Sequence, residues 1–210
     1  MATLASNGTV VWAGPDDRWF RGVNRFAQHT PWLHTPARLY AEYGVVLFAA
    51  LLLWSWWRAR AAGDPRRMAA ALWAPVGMLL AVGLNQFIGA AVAEPRPYAV
   101  LPHVLVLVSR STDYSFPSDH AVMAGAVAAG VLLAGRRLGA LAVAMAVLMA
   151  LARVYVGAHF PLDVTAGLLV GAGVCLVSYL LVGPLLRWLV VVLERTPVRV
   201  LLTGTEDAAS

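Results

Sequence analysis

Charge is scarce in this chain of 210 residues: 13% are charged, while 60% are hydrophobic. A soluble domain carries about 25% charged residues, so an ordinary soluble fold is excluded, and a mean hydropathy of +0.70 agrees. The apolar residues come in long blocks rather than amphipathic stripes, as membrane spans do. Cysteine is nearly absent. Cys175 is the only one, lies in an apolar run and reads as a small core residue, so an intramolecular disulfide is excluded. The net charge of +5 comes largely from arginines flanking the apolar runs. That placement suits a positive-inside bias and lipid head groups, and gives no reason to expect a nucleic-acid partner. Residues 1–38 hold no apolar core segment, so no cleavable signal peptide is expected, and neither repeats nor low-complexity linkers occur.

What is present is a series of about five apolar spans. Residues 1–15 read as a mobile tail. From Asp16 to Gln28, Trp19, Phe20, Val23, Phe26 and Ala27 recur at helical spacing with arginines between them. This predicts a helix lying on the membrane surface, or a helix packed on the spans. The first span covers about Tyr40–Trp57, closed by a belt of Trp54, Trp56 and Trp57. The second covers about Met68–Val92 and holds Pro75, an expected kink. A connection of residues 93–117 with four prolines follows. The third span runs from Ser118 to Leu133, the fourth from Leu138 to Val156 and the fifth from Leu162 to Val182, with an amphipathic stretch and a polar tail after Pro184. The expected architecture is an all-α integral membrane bundle: 1–39 tail and interfacial helix, 40–183 transmembrane unit, 184–210 C-terminal stretch.

Orientation follows from arginine. Arg58, Arg60, Arg66 and Arg67, then Arg136 and Arg137, then Arg187, Arg195 and Arg199 fall on one face after five crossings, and that face should be cytoplasmic. Arg18, Arg21, Arg25 and Arg38 weigh the other way. The ends of spans two and four and the starts of spans three and five then meet on the outer face of the membrane. There lie three polar patches: Glu94-Pro95-Arg96-Pro97, Ser115-Phe116-Pro117-Ser118-Asp119-His120, and Arg153, His159 and Asp163, separated by up to 67 positions in sequence.

Ionisable groups beside spans are costly and by default functional. Ser118 is placed to cap the third span, whose N-terminus is an anion site, with His120 in its first turn. Arg96, stiffened between two prolines, and Arg153 can grip phosphate oxygens with two forks. His159 and Asp163 are four apart, so the carboxylate can fix the tautomer of the imidazole and free its other nitrogen for attack. These parts suit phosphoryl transfer without a metal or cofactor: His159 as nucleophile, Arg96, Arg153 and Ser118 on the charge, His120 as acid and then base. Taken singly, each has a plainer reading as anchor or cap, as do His29, His34 and His103 at an interface.

The motifs Arg96-Pro97, Pro117-Ser118-x-His120 and Arg153-x5-His159-x3-Asp163 resemble the three-part signature of the type 2 phosphatidic acid phosphatase (PAP2) superfamily over residues 85–170. The resemblance implies a nucleophilic His159 supported by Asp163, a general acid at His120, and phosphate binding by Arg96, Ser118 and Arg153. Gly89 stands where that family usually has Lys, and Ala152 where it has Ser. The segments around Glu94, Asp119 and Arg153, together with Asn85, look like the bacitracin-resistance branch of undecaprenyl pyrophosphatases, which also lacks the Lys. Asp119, Glu94 and Asn85 are therefore candidate supporting residues, Asn85 foremost through hydrogen bonding between helices.

The expected activity is hydrolysis of a polyprenyl diphosphate to the monophosphate at the outer membrane face. Alternatives are a phosphatase for another lipid phosphate, a lipid phosphotransferase, or a non-catalytic lipid-binding protein. Small residues Gly167 and Gly171, with Ala121, Ala124 and Ala128, predict close helix packing around the site; the two glycines are alternatively the face of a homo-oligomer.

Overall fold

The computed structural model describes residues 2–4, 10–12 and 15–204. Within the stretch expected to be a tail, Ala2–Leu4 (β1) pairs antiparallel with Val10–Trp12 (β2); the rest of residues 1–14 and the polar tail at 205–210 lie outside the described residues. The remaining architecture is helical: α1 Pro15–Gln28, a single 3-10 turn at Pro31–Leu33, α2 His34–Ala62, α3 Pro65–Val92, α4 Pro97–Val100, α5 Asp119–Ala134, α6 Arg136–Tyr155, α7 Pro161–Leu193 and α8 Arg199–Leu202. Four helical stretches are long and apolar enough to cross a membrane, and α5 is a shorter apolar helix.

α5 is the centre of the bundle, packed on α3, α6 and α7. At 16 residues it spans about 24 Å, less than the hydrocarbon thickness of about 30 Å. Every residue from Ala121 to Val131 is buried, because its alanines and glycines admit neighbouring backbones. A side chain at Gly171 would strike the Val122 carbonyl and the Ala126 amide, and one at Gly167 would strike Ala121 and the Ser118 carbonyl. These two glycines are therefore occupied inside the chain, which removes them as an oligomer face.

The expected C-terminal boundary changes. α7 continues through Pro184 to Leu193, so the boundary expected at 183/184 falls inside a helix. Losing one N–H does not end a helix whose flanking turns remain bonded. The chain then folds back, with Arg60 Nε donating to Val200 O (2.7 Å) and Gly204 N to Arg60 O (3.0 Å). α3 likewise runs unbroken through Pro75. Its start is fixed by Asp64, whose side chain accepts from Arg66 N, with Pro65 in the first turn.

α1 divides its apolar face. Phe20 and Ala27 are fully buried on the bundle, Phe20 edge-on to Phe160 at 5.4 Å between ring centroids, while Trp19 and Phe26 are exposed. Polar contacts lock it down: Asn24 donates to Leu105 O (2.8 Å) and accepts from Leu105 N (3.0 Å), and Leu162 N donates to Asp16 (3.0 Å). It is packed on the protein at its inner face and leaves only an outer strip for lipid.

Candidate active site

The catalytic candidates gather where α6 stops and α7 begins. The turn between them needs Gly157, whose φ of +80° is left-handed and whose missing Cβ would run into the Leu105 carbonyl. Leu107 N donates to Val156 O at 3.0 Å, so the loop after α4 lies directly over this turn. His159 is left only 1% exposed.

The bonds of His159 define its tautomer. Nε2 faces Arg96 Nη1 at 3.1 Å and Arg153 Nη2 at 3.3 Å. Guanidinium groups only donate, so Nε2 is the acceptor and Nδ1 carries the hydrogen. Nδ1 donates to the Ser115 carbonyl at 2.9 Å. Burial first, and then the charges of Arg153 and Arg96, hold the imidazole well below the usual histidine range, so it is neutral near pH 7. An in-plane lone pair on Nε2 thus points at two cations.

Asp163 is not the tautomer-fixing partner that its four-residue spacing suggests. Its Oδ2 stands 3.5 Å from His159 Nδ1, beyond a good hydrogen bond, and is taken by Ser115 Oγ (2.5 Å) and Phe160 N (2.8 Å). The carboxylate staples the start of α7 to the second patch, and the backbone of that patch orients the histidine. Ser118 N donates to the Asp163 carbonyl at 3.1 Å, adding a second staple. Ser118 does occupy the N-cap of α5, but its hydroxyl makes no cap bond.

Arg96 and Arg153 are both buried, at 8% and 7% exposed. Arg153 comes from the last turn of α6 and donates to Ala41 O at 3.4 Å. Arg96 precedes α4 in an extended conformation and donates to Ala158 O at 3.1 Å. Its other edge is gripped by Asp113, with Nε at 3.0 Å and Nη2 at 2.9 Å from Oδ1. Partial burial works to raise the Asp113 carboxyl, but Ser111 and Arg96 outweigh it and leave it below the ordinary carboxylate value. Asp113 is the site residue that sequence reasoning passed over, and Ser115 is read within the second patch without a role of its own. The clue was a polar run, Ser109 to Asp113, inside an otherwise apolar connection.

The supporting candidates divide. Asn85, buried in α3, donates to Pro117 O (3.0 Å) and to Asp119 Oδ1 (2.7 Å), and Gln86 joins Asp119 at 3.0 Å. Asp119 is thereby tied to α3, fixing the turn that carries His120. His120 is partly buried and within electrostatic range of Arg153, His159 and Arg96. Glu94 contributes its carbonyl to Ser115 N (2.8 Å), and its side chain forms no ion pair among the described residues. Gly89 faces the same loop: a Cβ there would stand 3.4 Å from Phe116 O. His29 and His34 bond to backbone carbonyls of Arg25 and Ala27, away from the site.

Among the described residues, the buried side-chain atoms without a hydrogen-bond partner are Asn85 Oδ1, Ser118 Oγ, Arg153 Nε and Asp163 Oδ1. All four belong to this one site. Leaving a buried polar group unpaired costs about 1–3 kcal/mol, so their concentration marks a place built for something polar. Ser118 and Arg153 offer donors beside the buried His159, an arrangement able to hold an oxyanion such as phosphate next to an imidazole lone pair.

The chain is similar to known proteins. The chain is 30% identical over 151 residues to the undecaprenyl-diphosphatase BcrC of Bacillus subtilis (strain 168), covering 72% of this chain and 76% of that protein. It is 30% identical over 152 residues to the bacitracin transport permease protein BcrC of Bacillus licheniformis, covering 72% and 73%. The crystal structure of Aquifex aeolicus LpxE superposes with a TM-score of 0.50 at 28% identity, covering 77% of this chain and 92% of that one. The profile of the PAP2 superfamily matches residues 70–187, a stretch that holds all three patches, and the chain belongs to that superfamily.

Proposed function

We propose that this protein is a membrane lipid phosphatase that cleaves the terminal phosphate from a polyprenyl (undecaprenyl) diphosphate. The observation that carries the reading is the aim of two buried guanidiniums at Nε2 of a neutral His159, beside the unpartnered Ser118 hydroxyl and Arg153 Nε. Likeness to an undecaprenyl-diphosphatase supports the choice of substrate.

The terminal phosphate enters between Arg96, Arg153 and Ser118, displacing the arginines from Nε2. The Nε2 lone pair attacks phosphorus in line with the bridging oxygen, a P–N bond forms and the P–O bond breaks. His120 gives its proton to the departing monophosphate lipid. Water then attacks the phosphohistidine, His120 takes a proton from it, and inorganic phosphate leaves with His159 restored. The arginines balance the charge that develops on the equatorial oxygens, so no step requires a metal ion. Asp163 and the Ser115 carbonyl keep the imidazole aimed, and Asp119 with Asn85 does the same for the turn bearing His120. The site opens to the outer face, with the C-terminus cytoplasmic, because the arginine-rich turns crowd the other end.

Phosphate release by the purified protein in EDTA tests the reading. Undecaprenyl diphosphate is expected to be turned over in preference to phosphatidylglycerol phosphate and phosphatidic acid. A glycerophospholipid preference overturns the substrate, transfer of phosphate to a lipid acceptor overturns hydrolysis, and loss of activity in EDTA overturns metal independence.

A further inference from the structure

The end of the bundle remote from His159 holds a cavity of about 540 Å³ that the phosphatase reading does not use. Arg58 near the end of α2, Arg67 in the first turn of α3, and Arg136 and Arg137 in the first turn of α6 line it, and no carboxylate does. Arg67 reaches Asp64 at 3.6 Å, while Arg58, Arg136 and Arg137 have no ion-pair partner among the described residues. The chain contains no lysine, and the planar fork of arginine matches phosphate oxygens.

Two further features point the same way. α6 opens beside this cavity from Gly135, which supplies no side-chain cap, so its first N–H groups remain available to an anion. Independently of charge, the polar side chain of Ser55, only 3% exposed, also lines the cavity. The remaining wall is apolar, formed in part by Trp54, Leu138 and Leu141, and Trp54 and Leu141 continue onto the exposed outer surface of the bundle. A soluble anion would use the arginines and leave that wall idle. A lipid uses both.

We propose that this cavity binds the phosphate head group of an anionic phospholipid from the leaflet opposite the catalytic site. The arginines and the first turn of α6 hold the phosphate oxygens, Ser55 donates to one of them, and the acyl chains run along Trp54 and Leu141. The site is separate from the catalytic centre and does not depend on which lipid that centre hydrolyses.

The test is native mass spectrometry of protein released from nanodiscs containing equal phosphatidylglycerol and phosphatidylcholine. Retention of phosphatidylglycerol is expected to exceed that of phosphatidylcholine. The double variant Arg136→Gln, Arg137→Gln should lower the retained fraction about 25-fold, since each head-group arginine is worth about 1 kcal/mol and 1.4 kcal/mol is tenfold. Arg58→Gln is a second variant, expected to give a loss of about fivefold on the same footing, and Arg18→Gln, exposed on α1, should leave retention unchanged. Thermal melts close to the parent's certify each variant's fold, because all these side chains are exposed. Equal retention of the two lipids, or retention unchanged in both cavity variants, overturns the proposal. Displacement of the lipid by millimolar inorganic phosphate assigns the cavity to a soluble anion and overturns the lipid.

Discussion

The two ends of the bundle use the same side chain in opposite ways. At one end Arg96 and Arg153 are buried, each held by backbone carbonyls, and Arg96 also by Asp113. At the other, Arg58, Arg136 and Arg137 are exposed and unpaired among the described residues, around an open cavity. A guanidinium fixed in place can stabilise a transition state, because its orientation cost has been met in folding. A loose one attracts anions without directing chemistry. The difference lies in the neighbours that sequence position alone does not reveal.

Substitutions can break this contrast in decreasing order of effect. His159→Ala removes the atom on which the buried arginines converge, and phosphate release is expected to fall by about a thousandfold or more; residual activity near the parent's would sink the nucleophile assignment. Asp163→Asn should cost about a hundredfold, less than the roughly 10⁴-fold seen where a carboxylate alone sets the tautomer, because the Ser115 carbonyl remains in place. A loss as large as that of His159→Ala would show Asp163 doing more than stapling. Asp113→Ala turns Arg96 from a fixed into a loose arginine. It should lower kcat/KM about tenfold, with Asp113→Asn recovering part of it; a gain in substrate affinity would instead make Asp113 a competitor for Arg96.

Two smaller effects sharpen the comparison through stability. Gly171→Val forces a branched side chain against Val122 and Ala126 and should destabilise the bundle by about 1–3 kcal/mol, read as a lower melting temperature in detergent. The smallest concerns Asp16, which joins α1 to the start of α7. Burial first, and the charges of Asp163 and Asp17, push its carboxyl from 3.8 up to about 6, against the Leu162 amide. The folded state therefore holds this proton more tightly than the unfolded chain does. That stabilisation is full below the unfolded value and is lost as pH rises through about 6. The protection of α1 amides against hydrogen exchange, referred to their intrinsic rate at each pH, should fall across that window in the parent and not in Asp16→Asn.

Much of this was legible in the sequence. The long apolar blocks placed α2, α3, α6 and α7 within a few residues at most ends, because membrane spans are set by length and hydropathy. Motif spacing picked out Arg96, Arg153, Ser118, His120, His159 and Asp163, and the fold brings their patches together. What escaped was set by tertiary contacts. Asp113 and Ser115 sit in irregular chain without periodicity, and their roles come from what the loop after α4 packs against. α1 reads as a surface helix, yet Asn24 clamps it to Leu105 through bonds 81 residues apart. Spacing placed Asp163 near His159, 3.5 Å away, but did not give the atom that orients the ring, since a backbone carbonyl has no letter in the sequence.

α5 carries Ser118 and His120 at its start and, from Ala121 to Val131, meets only protein. The outer helices must tilt or stretch when hydrocarbon thickness changes, because their surfaces are matched to lipid. A strut with no lipid surface is insulated from that adjustment. The turn bearing Ser118 and His120 is thus referenced to the protein's interior rather than to the bilayer. Catalysis is accordingly expected to hold nearly constant across nanodiscs of shorter and longer acyl chains, letting one enzyme serve membranes whose composition drifts with growth temperature.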